Sequence, residues 1–446
     1  MKIALPRGGI GWLIFAVGLA PLGLAVATGP DLDNFWRELS AALALIGLSL
    51  LLIQFLLLGR FRVISGRTGI DVVLRCHQLL ARVLFVFLLV HPLLYAMPRL
   101  ISGRGGAGEL LLGLFQSGRL RTGVIAWLLL MLLLAMAIWR DHLPIRYEAW
   151  RLTHGLGAAI VAALGLYHTL SVGGYSADPL LIGWWVLLGS GAFVSLAIVY
   201  FLRPLVKMRR PFRVIAVEPA ALHIWLVVIE PVKGPSLHFA PSQFVWLNIG
   251  HSPFSLTEHP FSISSAPEAL PQLEFTIKES GDFTGRIGKV RAGETAYLDG
   301  PHGNFVLPGN SATAAAAPIV FVAGGAGIAP VLSMLRSIAH RGGSHPVTLV
   351  YGNRVAEQIV ARQELESMAD NFGLQLHFVL GEPPAGWTGS TGQLTEAVLR
   401  ECLGNCDAAA LYYVCGPLPM MNSVEHSLRQ FGVKRRQIIT ERFRYD

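Results

Sequence analysis

VVLRCHQLLARVLFVFLLVHPLLYAM, residues 72–97, is the stretch that decides the fold. It is apolar for long enough to cross a bilayer as a helix, which takes about 20 residues. It carries two histidines, His77 and His91, fourteen residues apart. At about 100° per residue that separation falls about 40° short of four whole turns, so both rings leave one face of the helix. At about 1.5 Å rise per residue they stand about 21 Å apart along the axis, one toward each side of a hydrocarbon core about 30 Å thick. Residues 152–172 form a second apolar stretch with His154 and His168, again fourteen apart. Two such helices facing each other make two stacked pairs of imidazoles. A single intramembrane histidine is commonly a helix–helix hydrogen-bonding residue. Ionisable groups inside a membrane are costly, however, and four of them in two equally spaced pairs ask for a shared purpose. Two stacked b-type haems, one held by His77 and His154 and the other by His91 and His168, explain the pattern.

The rest of the chain fits a membrane half followed by a soluble half. Of 446 residues, 53% are hydrophobic and only 14% charged, an average that hides the division between the two. The net charge of +8 does not imply nucleic acid, because the basic residues cluster in short loops between apolar runs, as positive-inside topology requires. Residues 1–29 have a basic start (Lys2, Arg7) and an apolar run from Ile10 to Thr28 ending AVATG. A cleaved signal peptide and a retained span are both open; the run is long for a signal, which favours retention. Further spans are expected at 38–58, 72–97, 122–139, 152–172 and 180–202. Every second connection is basic: Arg60, Arg62 and Arg67; Arg140, Arg146 and Arg151; Arg203, Lys207, Arg209, Arg210 and Arg213. That puts those loops and both termini in the cytoplasm, His77 and His154 near the inner face, and His91 and His168 near the outer face. The outer 98–121 loop also holds Arg99, Arg104, Arg119 and Arg121, which either pair with haem propionates or sit plainly at the interface. Cys76, Cys402, Cys406 and Cys415 make neither a zinc constellation nor a disulfide framework.

Past residue 210 short β-rich runs such as FRVIAVE, LHIWLVVIE and FVWLNIG alternate with Pro and Gly turns, reading as a small antiparallel barrel. A Ser/Thr/Ala segment (310–317) then leads to strands alternating with helices, the mark of a parallel α/β domain. The expected fold is therefore multidomain. An all-α six-helix transmembrane haem-binding bundle over 1–208 is followed by an antiparallel β-barrel over 209–309 and an α/β parallel-sheet nucleotide-binding domain over 310–446. Gly324-Gly325-Ala326-Gly327-Ile328-Ala329-Pro330 follows a buried strand and opens a helix, where backbone N–H groups can meet a pyrophosphate. The strand at 347–352 ends in Tyr351-Gly352-Asn353-Arg354 with no acidic residue immediately at its end. Arg354 there suits a ribose 2′-phosphate, favouring NADPH over NADH; a solvated arginine is the plain alternative.

Three more motifs complete the soluble half: His259-Pro260-Phe261-Ser262; Ile277-Lys278 with Gly281-Asp282-Phe283-Thr284; and Cys415-Gly416-Pro417 after the strand ALYYV. With them the soluble half resembles the ferredoxin–NADP reductase family, and the chain from the third span onward resembles the NADPH oxidase and ferric reductase superfamily, as found in bacteria. The resemblance implies an FAD-binding barrel in which Phe261 flanks the isoalloxazine, Ser262 reaches its N5 edge and His259 lies near the phosphates or ribityl chain. Ile277, Lys278, Gly281 and Thr284 match the family's second FAD segment, whose N–H groups and hydroxyl suit a pyrophosphate. Asp299-Gly300-Pro301-His302-Gly303 resembles the turn that closes the barrel. The resemblance makes Gly324, Gly325, Gly327 and Pro330 the nicotinamide nucleotide loop, places Cys415, Gly416 and Pro417 beside the nicotinamide, and sets Phe443 against the flavin, with Tyr445 as its alternative.

The expected activity is a transmembrane relay in a cell inner (plasma) membrane, multi-pass, with the dehydrogenase domains cytoplasmic. NAD(P)H gives a hydride to FAD, and electrons then pass singly to the inner and the outer haem. A small-molecule acceptor follows, either dioxygen, giving superoxide, or a ferric chelate. The outer loop SVGGYSADP is too short to build a pocket that would choose between them. An electron-carrier module serving a partner protein at the outer face is the alternative, and a non-catalytic haem sensor a more distant one. Membrane lipid is an expected contact and nucleic acid is not. No calcium-binding loop is present in the sequence, so activity is expected to be constitutive.

Overall fold

Apolar side chains on every face drive the first part of the chain into helices that satisfy their own backbone, as a bilayer demands. The structure, a computed structural model, describes residues 9–28, 34–58, 69–103, 116–307, 317–342, 346–404 and 409–442, with single positions at 61, 64, 106, 109 and 113. The helices are α1 (Gly9–Thr28), α2 (Phe35–Leu58), α3 (Ile70–Ile101), α4 (Arg121–Ile138), α5 (Tyr147–Val172) and α6 (Pro179–Ala197). Six helices in the described residues are long and apolar enough to cross a membrane. Asp178 starts α6, its Oδ1 accepting from the Leu180 and Leu181 N–H groups at 2.8 and 3.4 Å, with Pro179 at the first helical position. A π-helical turn (Ile198–Leu202) and a short α7 (Arg203–Met208) continue α6 beyond its expected end.

The helices form one compact unit, Met1–Arg203, built around α2. Leu45, Leu48, Leu52 and Ile53 of α2 pack with Leu84 of α3, Val161 of α5, and Leu181 and Trp185 of α6. Close approach rests on small residues, as is usual where lipid removes the hydrophobic drive. A Cβ on Gly47 would lie 2.7 Å from Leu88 across the α2–α3 contact, and one on Gly157 2.6 Å from Leu133 across α4–α5.

The second unit, Pro204–Asp446, holds two sheets. The first is antiparallel: β1 (Phe212–Ala221), β2 (Ile224–Pro231), β3 (Phe244–Ile249), β4 (His259–Ser262), β5 (Leu273–Lys278) and β6 (Thr295–His302), in the order β4-β3-β6-β1-β2-β5. A bridge from Ile263, just past β4, to Phe275 of β5 links its two edges around Val214, Val227, Ile229, Val245, Leu247 and Phe275. The second sheet is built from β7 (Ile319–Gly324), β8 (Val347–Asn353), β9 (Gln375–Leu380), β10 (Ser390–Thr391), β11 (Leu411–Cys415) and β12 (Ile438–Thr440), all pairs parallel, in the order β10-β9-β8-β7-β11-β12. Helices α8 (Ile328–His340), α9 (Arg362–Phe372), α10 (Glu396–Leu403) and α11 (Leu418–Gln430) accompany it. Its strands are buried on both faces, which is why IVFVAG and LYYVC read as continuous apolar runs.

Helix α8 ties the sheets together. Arg336 donates to both carboxylate oxygens of Glu364 at 2.7 and 2.8 Å, to Glu274 at 2.6 Å and to the Ser264 carbonyl at 2.9 Å. One turn earlier the Ser333 hydroxyl donates to the Ser265 carbonyl at 2.7 Å and accepts from the Ser242 N–H at 3.1 Å.

Candidate functional site

In the helical unit the four histidines fall into the two pairs that their spacing suggests. His77 on α3 and His154 on α5 are within electrostatic range of each other, as are His91 and His168. The second pair is oriented through its ring nitrogens: His91 Nδ1–H donates to the Leu88 carbonyl at 2.8 Å, and His168 Nδ1–H to the Arg119 carbonyl at 3.3 Å. A committed Nδ1 leaves Nε2 as the free lone pair, the arrangement metal-bound histidines adopt. The His168 ring lies over Gly123 of α4, where a Cβ would stand 2.6 Å from its Cε1. In the first pair the Nδ1 atoms of both His77 and His154 are buried without a hydrogen-bond partner. Two imidazoles from separate helices, within electrostatic range of each other and each with a buried nitrogen that meets no protein partner among the described residues, fit a shared metal-centred ligand, because a buried unpaired polar atom otherwise costs about 1–3 kcal/mol.

In the second unit, separate strands bring the sequence motifs together. His259 stacks on Phe283 with centroids 4.4 Å apart and planes at 26°, and Phe261 stacks on the same ring at 6.1 Å and 27°. The two segments expected at the flavin thus meet through Phe283, a member of the second motif to which sequence reading assigned no role of its own. Ile277 is buried in the sheet core, so only its backbone is available to a ligand, while Lys278 is exposed. Thr284 Oγ1 accepts from the Ser280 N–H at 2.8 Å, and nothing lies within 4 Å of a Cβ built on Gly281, which leaves the turn open to a pyrophosphate. Lys207 reaches Glu258, just before His259, at 2.8 Å, and Asp299 at 3.9 Å.

The glycines of the nucleotide loop divide their labour. A Cβ on Gly324 would strike Met420, and one on Gly327 would strike the Cys415 carbonyl and lie 2.7 Å from Gly416 Cα. These two let the loop and the Cys415-Gly416-Pro417 segment press together, a contact begun by the β7–β11 register Ala323↔Cys415. Gly325 turns at φ +52° with open space above it, leaving its backbone accessible. Pro330 is buried in the first turn of α8.

Register also carries the flavin strand toward Cys415. Phe244 pairs with Ser262 on one side and His302 on the other. A Cβ on the adjacent Gly303 would lie 3.1 Å from Phe244 and 2.7 Å from Glu441 Oε1. Glu441 is also within electrostatic range of Cys415, whose thiol is pushed well up by burial, with a further push from that carboxylate. Glu441 is a neighbour of Cys415 that motif reading missed. Its signal is the β11–β12 register, in which Val414↔Thr440 sets the next two residues side by side. Glu382 was missed likewise: it follows β9, yet its N–H donates to the Arg354 carbonyl at 2.7 Å and its carboxylate lies 3.5 Å from the Arg354 guanidinium. An acidic group therefore does reach the end of β8, through space rather than along the chain. Phe443 and Tyr445 lie outside the described residues.

Family models match three successive parts of the chain: a ferric reductase like transmembrane component over residues 43–166, an FAD-binding domain over 212–316 and an oxidoreductase NAD-binding domain over 321–426. The chain is 28% identical over 240 residues to the propane 2-monooxygenase reductase component of Mycolicibacterium goodii, covering 52% of this chain and 66% of that one. It thus spans about two thirds of that relative's length. It is 30% identical over 243 residues to ferredoxin–NADP reductase B of Sorangium cellulosum, covering 52% of this chain and 96% of that one. Among solved structures it is similar to the cytochrome b5 reductase domain of Ulva prolifera nitrate reductase, with 18% identity, a TM-score of 0.45, and coverage of 53% and 98%. Fold and matched domains together define a transmembrane helical component joined to an FAD-binding domain and an oxidoreductase NAD-binding domain. The chain belongs to the NADPH oxidase and ferric reductase superfamily.

Proposed function

We propose that this protein carries electrons from cytoplasmic NAD(P)H through FAD and two b-type haems to dioxygen or a ferric chelate on the outer face of a plasma membrane. The observation that carries this reading is the pairing of His77 with His154 and of His91 with His168 across α3 and α5. The working division is a transmembrane part over 1–208, a flavin part over 209–309 and a nucleotide part over 310–446. His77 with His154, and His91 with His168, would hold the irons. His259 to Ser262, Ile277, Lys278, Gly281 and Thr284 would hold FAD. Gly324, Gly325, Gly327, Pro330 and Arg354 would hold the dinucleotide, NADPH before NADH, with Cys415, Gly416, Pro417 and Phe443 at its reacting end. Bound there, the cofactors supply the redox chemistry, two electrons at once at the nicotinamide and one at a time at the irons.

The protein's own part is position and environment. Cys415 stays a neutral thiol, so it offers the nicotinamide a small, uncharged wall rather than a nucleophile. Glu441 beside it would take or give the proton that accompanies flavin turnover, and the packed Gly324–Met420 and Gly327–Cys415 contacts hold the nucleotide loop against the Cys415-Gly416-Pro417 segment.

The test is an absorbance spectrum of detergent-purified protein with FAD, before and after NADPH under anaerobic conditions. Reduced b-type haem bands are expected, and admitting air or ferric chelate should reoxidise them at rates that rank the acceptors. Wild-type protein without haem bands would sink the relay and leave a membrane-tethered flavin reductase.

A further inference from the structure

At the N-terminal end of α5 three aromatic rings step one turn at a time toward His154. Tyr147 and Trp150 lie 6.3 Å apart at 21°, and Trp150 and His154 5.1 Å apart at 13°. The guanidinium of Arg140, from the 3₁₀ turn after α4, caps this stack, 4.8 Å from the Trp150 ring centre and 5.0 Å from that of Tyr147. Cation–π contact alone would explain the position of Arg140. It does not explain two further features. Arg140 has no carboxylate partner among the described residues. Trp150 Nε1–H, next to it, is buried with no acceptor among the described residues. A strong donor and a permanent cation, side by side and both without an anionic partner among the described residues, call for an acceptor that those residues do not supply.

We propose that Arg140 and Trp150 form the seat for a carboxylate of the haem held by His77 and His154. This rests on the haem reading above. A haem carboxylate fits better than a lipid phosphate because the indole N–H is buried, beyond the reach of a headgroup in the aqueous layer. A ligand fixed by His154, the next ring in the stack, arrives from within the bundle. The seat also has an electrostatic consequence. A cation held beside one haem favours its reduced form, which carries one more negative charge, so Arg140 raises the potential of that haem relative to a neutral residue.

The experiment is a redox titration of the full-length protein in detergent, with the two haems resolved, for wild type, Arg140→Gln, Arg140→Lys and Trp150→Phe. Arg140→Gln should shift one midpoint downward and leave the other in place, and Arg140→Lys should restore most of the shift. The haem that moves should be the one missing from His154→Ala. Trp150→Phe keeps the stack and removes only the donor, so it should change the haem carboxylate bending mode in resonance Raman spectra while haem content is retained. If Arg140→Gln leaves both midpoints in place and Trp150→Phe leaves the Raman mode unchanged, with both haems present, the seat is refuted and Arg140 is a loop staple or a lipid contact. Should Arg140→Gln fail to fold, the Trp150→Phe spectrum decides alone. A wild type without haem would instead overturn the haem reading itself, and the seat with it.

Discussion

Gly327 and Cys415 press on each other so closely that a single methyl group is a test of the site. A Cβ at Gly327 would run into the Cys415 carbonyl, and overpacking of this kind costs about 1–3 kcal/mol. Gly327→Ala should therefore keep FAD, which the other sheet binds, but slow NADPH-driven flavin reduction by on the order of 10²-fold, the effect of about 1 Å of misplacement. Stopped-flow flavin bleaching reads this; wild-type rates with a normal NADPH dependence would place the reacting end elsewhere. Cys415 sets a pH expectation. Burial raises its folded pKa, so above about pH 8.5 the unfolded chain loses this proton while the folded one keeps it. Stability contributed by the buried thiol is then whole below about pH 8.5 and declines above it. Thermal unfolding between pH 7 and 10 should show that decline in wild type, and Cys415→Ala should flatten it; equal slopes in both would contradict the assignment. At this scale the histidine ladders were legible because helical spacing alone carries them. Glu441 and Glu382 were not, because each reaches its neighbour through strand register or chain reversal that motif spacing does not encode.

Among the elements, α8 has the most to hold, since it starts at the nucleotide loop and carries the polar clamp onto the antiparallel sheet. Arg336 is mostly buried and its guanidinium meets Glu274, Glu364 and the Ser264 carbonyl, so its loss leaves two carboxylates without a cation. Arg336→Met should destabilise the soluble unit by about 2 kcal/mol, in the range of charge-assisted hydrogen bonds. It should also raise susceptibility to limited proteolysis between the two sheets. A melting temperature and digestion pattern matching wild type would show that Ser333 and the apolar contacts suffice. The helices were legible in kind and less so in extent. Hydropathy marks 152–172, yet α5 begins at Tyr147, because apolarity marks the part of a helix that lipid can cover and not where its backbone hydrogen bonds begin. Helix α3 likewise runs to Ile101 through Pro92 and Pro98. The clamp itself was invisible: an arginine and a serine on an amphipathic helix read as an ordinary polar face until the facing sheet is known.

For the whole molecule, the order of parts was legible because each has its own periodicity: unbroken apolar runs, then short strands, then strands alternating with helices around a glycine loop. Direction across the membrane is a further consequence, argued from charge alone. In the proposed topology the basic connections around Arg140, Arg146 and Arg151, and again around Arg209, Arg210 and Arg213, lie on the cytoplasmic side, following the positive-inside rule. An even number of spans then returns the chain to the side on which it started. His91 and His168 follow on the opposite side, each lying fourteen residues, about 21 Å of helix, from its cytoplasmic counterpart. NADPH does not cross bilayers, so the proposed topology makes activity depend on vesicle orientation. In inverted membrane vesicles added NADPH should reduce the haems at once, and in right-side-out vesicles only after permeabilisation. A membrane-impermeant ferric chelate or superoxide probe should respond on the face opposite to NADPH. Haem reduction in sealed right-side-out vesicles would reverse the topology, since the charge argument allows only one face for the dinucleotide. A probe response on the NADPH face with none opposite would mean that electrons leave from the flavin, and the histidine pairs would not carry the current that their spacing across the bilayer is proposed to serve.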